Sequence, residues 1–217
     1  MFGRIETRHA DLVRVRRLFM HIGRWTGAMT QSLVATLFVT TAATPGLAQS
    51  HDHPAMVAAA PHKPTDQENA LVKAVRDATE RFKNVTSISG PGEGYELAFG
   101  CVSGGDYGAM GLHYVNSSIL GDGEVDVTQP EIVLFEPTPN GGIRLTGADF
   151  VVFAADWDAK HSGPPQLMGQ LFHFFESPNR FGLPPFYTLH VWAWKDNPNG
   201  TFVNWNPNVS CDAFSPR

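Results

Sequence analysis

Cysteine is scarce in this chain: 217 residues hold two, Cys101 and Cys211. Neither lies in a CxxC spacing or beside a histidine, so the sequence carries no sign of a reactive or metal-bound thiol. A long apolar run is also missing. A permanent membrane span needs about 20 apolar residues, and the longest candidate, Ser32-Leu33-Val34-Ala35-Thr36-Leu37-Phe38-Val39, gives way at once to Thr40-Thr41-Ala42-Ala43-Thr44-Pro45. No Lys/Arg cluster follows residue 84, which argues against nucleic acid or an anionic membrane surface as partner. HExxH and GxSxG are absent, and the glycine-rich stretch 104–111 lacks the Lys-Ser/Thr of a phosphate loop, so tight turns account for it.

What is present begins with an export pattern. Six arginines (Arg4, Arg8, Arg14, Arg16, Arg17, Arg24) precede the short apolar run, and Gly46-Leu47-Ala48 supplies small residues for a peptidase. Residues 1–48 therefore read as a cleaved signal peptide, and the protein as exported, periplasmic or extracellular. Cleavage there keeps ten of the 16 basic and 19 of the 21 acidic residues, a formal charge of −9. It also exposes Gln49-Ser50-His51, a terminus able to wrap one Cu(II) or Ni(II) ion. In an oxidising compartment Cys101 and Cys211 are expected to pair.

Residues 49–64 read as a flexible leader and 65–217 as one β-rich globular domain. Thr65 with Glu68 forms a capping box, and Leu71, Val75, Ala78 and Phe82 recur at helical spacing, which predicts one amphipathic helix over 65–84. From Tyr95 onward short β-like runs alternate with turns, at 95–102, 111–117, 131–136, 143–154, 170–175, 186–194 and 201–204. Pro137-Thr138-Pro139-Asn140-Gly141-Gly142 is the strongest hairpin signal. With no repeat and no strand–helix–strand alternation, the expected fold is mainly β, an antiparallel sheet rolled into a small barrel or sandwich with the helix packed on it.

Four stretches carry a resemblance: Gly100-Cys101-Val102-Ser103-Gly104; Met110-Gly111-Leu112-His113-Tyr114; His190-Val191-Trp192-Ala193-Trp194 running on to Asn197-Pro198-Asn199-Gly200-Thr201-Phe202; and Trp205-Asn206-Pro207-Asn208-Val209-Ser210-Cys211. Over roughly residues 95–213 the chain resembles a group of exported bacterial proteins with no assigned activity. The resemblance implies an exported globular domain and transfers no catalytic residue.

The chemistry must come from side chains. His113, His173 and His190 each interrupt an apolar run where an aliphatic residue would pack at lower desolvation cost. They predict a mononuclear site for a zinc or copper ion, with Glu131 or Glu136 as a further ligand. The competing reading is that these histidines are hydrogen-bonded core or tolerated strand residues. A second functional reading is a binding module for an apolar or aromatic small molecule, lined by Tyr187, Trp192, Trp194, Phe172 and Phe174, with ordinary aromatic core as its bland counterpart. Strict alternation over 186–194 would place His190, Trp192 and Trp194 on one face.

Overall fold

A computed structural model describes residues 63–90 and 92–215. The expected signal peptide, its cleavage point, the Gln49 terminus and the leader through residue 62 lie outside the described residues. The chain enters at Thr65, whose hydroxyl accepts from Glu68 N (3.2 Å) while Glu68 Oε2 accepts from Thr65 N (2.6 Å). This reciprocal cap satisfies two donors that the first turn cannot pair internally. Helix α1 follows over Asp66–Thr79 and buries Leu71, Val75 and Thr79 at i, i+4 spacing. The expected helix over 65–84 is α-helical only this far. It then tightens into a 3₁₀ turn, Glu80–Lys83, that buries Phe82.

Among the described residues eight strands come next: β1 (Tyr95–Ser103), β2 (Ala109–Asn116), β3 (Ile132–Pro137), β4 (Ile143–Phe153), β5 (Gln166–Leu167), β6 (Gln170–Leu171), β7 (His173–Phe175) and β8 (Phe186–Val191). A short helix, α2 (Ala154–Asp158), follows β4. Six strands form one antiparallel sheet in the order β1-β2-β3-β4-β8-β7, and β5 with β6 makes a separate two-residue ribbon. The sheet is open, with β1 and β7 at its edges. The barrel expected from the sequence is therefore incorrect, and so is the sandwich, because the layers packed on the sheet are a helix and a loop rather than a second full sheet. The 137–142 turn does join β3 to β4, closed by Thr138 N donating to Gly142 O at 2.8 Å.

Alternation along the strands divides the core between two faces. On one face Leu71 and Val75 of α1 pack on Ala148 and Phe150 of β4 and Leu189 and Val191 of β8. Phe82 and Ile88 continue that layer over Leu112, Val133, Phe135 and Leu145. The opposite face carries Val115, Ile132, Leu134, Val151 and Phe186, and is closed by Trp192 and Val209 from the C-terminal region. Cys101 and Cys211 are joined, with Cα atoms 5.7 Å apart, so this C-terminal cover is bonded to β1. No helix among the described residues is long and apolar enough to cross a membrane.

Two strand expectations fail for identifiable reasons. The run 170–175 is not one strand: β6 pairs with β5, β7 pairs with β8, and Phe172 between them turns inward while its N–H goes to Pro165 O. The run 186–194 ends at Val191, because Ala193 N folds back onto Val191 O at 2.8 Å. That turn breaks the alternation. Trp192 stays on the face of His190, with its indole N–H on Val203 O, whereas Trp194 turns to α1 and donates to Thr79 Oγ1 at 2.9 Å. The segment 201–204 forms no strand.

Candidate metal centre

Three side chains with metal-ligating atoms are enclosed on the loop-covered face. His113 comes from β2, Asp149 from β4 and His190 from β8, and they are only 3%, 3% and 2% exposed. The register explains the meeting. Asp149 is the direct cross-strand partner of His190, and His113 lies opposite Leu134, whose partner on β4 is Gly147. Two residues before Asp149, Gly147 contributes no side chain to that row. A Cβ there would overlap the Val191 carbonyl, so β4 and β8 approach this closely only around glycine. One ring nitrogen of each histidine and one Asp149 oxygen lie within 4.8 Å of one another.

Two of the three donors, His113 and Asp149, are oriented by a neighbour. The ring Nδ1 of His113 is 3.1 Å from Gly111 O. A carbonyl only accepts, so Nδ1 carries the proton and the lone pair sits on Nε2. Gly111 is held for this role: its φ is +89°, and a Cβ would overlap the Phe135 carbonyl. Asp149 Oδ1 accepts from Thr188 Oγ1 at 2.5 Å. His190 Nδ1 lies 3.3 Å from Asp149 Oδ1, yet neither of its ring nitrogens meets a partner in hydrogen-bond alignment among the described residues.

Burial dominates the electrostatics. It raises the Asp149 carboxyl to about 7, against the pull of the Thr188 hydroxyl and the Leu189 N–H. It lowers His113 to about 4, opposed by the Gly111 carbonyl. His190 is held well below the ordinary histidine value by burial first, then by His113 and His173, with Asn204 acting in the opposite direction. Both imidazoles are thus neutral at neutral pH, the form that ligates metal. The buried His113/Asp149/His190 group could hold a metal ion.

The remaining expected ligands sit elsewhere. His173 is exposed on the edge strand β7, opposite Thr188, and lines a cleft rather than the centre. Glu131 is buried, but its Oε2 accepts from Val151 N at 3.0 Å, just past the last β3–β4 pair, where it replaces a ladder carbonyl. Burial raises it to about 8. Glu136 is neutralised by Arg144, whose Nε is 2.6 Å from Oε1, and by Lys195 at 3.0 Å. Asp149 was not among the expected ligands. It interrupts Gly147-Ala148-Asp149-Phe150-Val151-Val152-Phe153 just as the histidines interrupt their runs, so the same desolvation criterion applied to carboxylates would find it.

The expected aromatic lining is likewise dispersed. Phe172 is core, Phe174 is 51% exposed and packs on Tyr187, and Tyr187 donates to Asp158 at 3.1 Å. Only Trp192 and Trp194 share a cleft, of about 600 Å³, between α1 and the 199–203 segment. No family model, curated protein or solved structure matches this chain, so its chemistry rests on its own residues.

Proposed function

We propose that the protein is an exported metal-binding protein with one zinc or copper ion held by His113, Asp149 and His190. The observation that carries this reading is the separation of His190 Nδ1 and Asp149 Oδ1, 3.3 Å without hydrogen-bond alignment. Metal–ligand bonds near 2.1 Å put two donors of a tetrahedral ion about 3.4 Å apart. Two buried polar atoms this close normally share a proton in line; two atoms aimed at a common third point do not. The His113–Gly111 contact supports the reading, since ligating histidines characteristically donate their other ring N–H to a carbonyl or carboxylate.

Two imidazoles and a carboxylate suit zinc and copper, and the enclosure of all three favours holding an ion over rapid ligand exchange. Export fits the Cys101–Cys211 bond, which persists in an oxidising compartment. Elemental analysis of untagged protein, as purified and after loading with zinc or copper, tests the reading. Near one ion per chain is expected, falling to background in His190→Ala and Asp149→Asn. Wild-type protein that takes up no more metal than these variants would overturn it.

A second reading keeps the small-molecule site without metal. It draws on the cleft, where the indoles of Trp192 and Trp194 are both fixed by N–H bonds and Phe202 completes an aromatic wall. Saturable binding of an aromatic probe by metal-free protein, lost in Trp194→Ala, would favour it.

A further inference from the structure

A second hollow, of about 280 Å³, lies at the start of β4 and is lined by Lys83, Ile143, Arg144, Leu145 and Trp194. Its floor is apolar. Ile143 and Leu145, two residues apart on one strand, share a face, and both belong with Trp194 to the core layer that contains Phe82. The indole is fixed in place. Its N–H donates to Thr79 Oγ1 at 2.9 Å, and that buried hydroxyl donates in turn to Val75 O at 2.6 Å.

The charged part of the lining has one sign. Lys83 and Arg144 contribute two cations, and no acidic residue lines the hollow among the described residues. Lys83 ends the 3₁₀ turn Glu80–Lys83, and its Nζ stands 3.7 Å from the centre of the Trp194 ring. Its ion pair with Glu80, at 3.3 Å, joins two exposed side chains, and such a pair holds an ammonium only weakly against a competing anion. Arg144 is held by Glu136, yet Lys195 binds the same carboxylate at 3.0 Å, so one buried negative charge faces two positive ones. The surplus occurs in a chain whose formal charge beyond residue 48 is −9.

Cations beside an apolar floor match a ligand that has both parts. A neutral aromatic would cover the floor and desolvate the cations without pairing them, and an inorganic anion would pair the cations and leave the floor unused. We propose that this hollow binds a small organic carboxylate, its apolar body on Ile143, Leu145 and Trp194 and its carboxylate between Lys83 and Arg144. Arg144 keeps donors for this contact, because Glu136 engages only Nε and one terminal nitrogen of the guanidinium. The volume, just under the roughly 300–1,000 Å³ of drug-sized sites, limits the body to about one or two rings. The hollow shares only Trp194 with the larger cleft, and nothing in it depends on the metal reading.

The test titrates the full exported chain by calorimetry with 2-naphthoate, with its uncharged isostere 2-naphthamide and with inorganic phosphate. One naphthoate per chain is expected, bound at least about tenfold more tightly than either of the others. A hydrogen bond to a charged group corresponds to about 10- to 100-fold in affinity, so Lys83→Gln and Arg144→Gln should each weaken naphthoate by that factor and leave naphthamide unchanged. Phe202→Ala, which alters the larger cleft alone, should leave naphthoate binding as it is. Four results overturn the proposal: no naphthoate bound, naphthamide or phosphate bound as tightly as naphthoate, naphthoate unaffected by both cation variants, or naphthoate lost in Phe202→Ala. The last would place the ligand in the larger cleft and favour the metal-free reading given for it. Comparing the three probes needs only wild-type protein, so a poorly folding variant leaves the test decisive.

Discussion

Asp149 and His190 face each other across β4 and β8 as direct register partners, 3.3 Å apart at their polar atoms, and burial keeps the imidazole neutral while pushing the acid up to about 7. The groups around Asp149 are the Thr188 hydroxyl and Leu189 N–H, which stabilise its anion, His113 and His190, which are neutral, and Glu131, which repels it when ionised. None of them supplies a positive charge. A divalent cation would, and would drive the carboxyl to ionise.

A pH dependence of metal binding follows. Only the ionised acid ligates, so protons compete with zinc below the Asp149 value of about 7, while His113, at about 4, competes little in that range. Zinc affinity should therefore rise about tenfold per pH unit from about pH 5.5 to 7 and then flatten. Calorimetry in buffers of different ionisation heat should show about one proton released per zinc at about pH 6, and far less above pH 8. An affinity that stays flat across this range would remove Asp149 from the ligand set.

Glu136 and His173 supply the matching negative case. In Glu136→Gln, Arg144 and Lys195 lose a buried carboxylate partner, a change expected to destabilise by about 1–3 kcal/mol in denaturant unfolding. His173→Ala, at an exposed edge position, should stay within about 0.5 kcal/mol of wild type. Both should bind one zinc with wild-type affinity. Metal loss in either would return that residue to the coordination sphere and displace the geometry around Asp149.

The parts of this architecture legible in the sequence are those set by local chemistry. The Thr65–Glu68 box starts α1, the Asn140-Gly141-Gly142 turn joins β3 to β4, and scarcity of cysteine left Cys101 and Cys211 only each other. His113 and His190 stood out because a polar ring in an apolar run is costly unless it is used. Sheet closure was not legible, since it depends on edges meeting and β1 and β7 do not. Nor was the facing of Trp194, decided by a single backbone turn at Ala193, or the role of Glu136, which needed Arg144 and Lys195 brought beside it by register and fold.

Glu131 gives a stability test separate from the metal. Its folded value, about 8, lies above its ordinary 4.5, so between these limits the folded state holds a proton that the unfolded chain has released. Its contribution is then fully present below about pH 4.5 and is lost as pH rises through about 8. Glu131→Gln cannot ionise, and its carboxamide oxygen can still accept from Val151 N. The variant should match wild type at about pH 5 and exceed it by up to a few kcal/mol at about pH 9. Melting curves of metal-free proteins at both pH values measure this, and a variant less stable at the higher pH would show that the carboxylate is accommodated in charged form.

The Cys101–Cys211 bond closes a loop of 110 residues, for which chain entropy alone gives about 5 kcal/mol, an upper value because residual structure in the reduced, unfolded chain lowers it. The bond also retains the C-terminal segment whose Val209 packs on the sheet face that carries His190, so its effect should reach metal binding. Where binding is coupled to closure of the loop, a population of open chains lowers the apparent affinity in proportion. Cys101→Ser/Cys211→Ser is expected to lose about 2–5 kcal/mol in denaturant unfolding and to bind zinc more weakly than wild type. Saturating zinc should in turn recover part of the lost stability, about 2.7 kcal/mol at a hundredfold excess over Kd. Unfolding curves of the double variant with and without zinc measure both effects. A variant destabilised to this extent whose zinc affinity is unchanged would show that the ion is held by the sheet residues alone, with the C-terminal loop energetically separate from them.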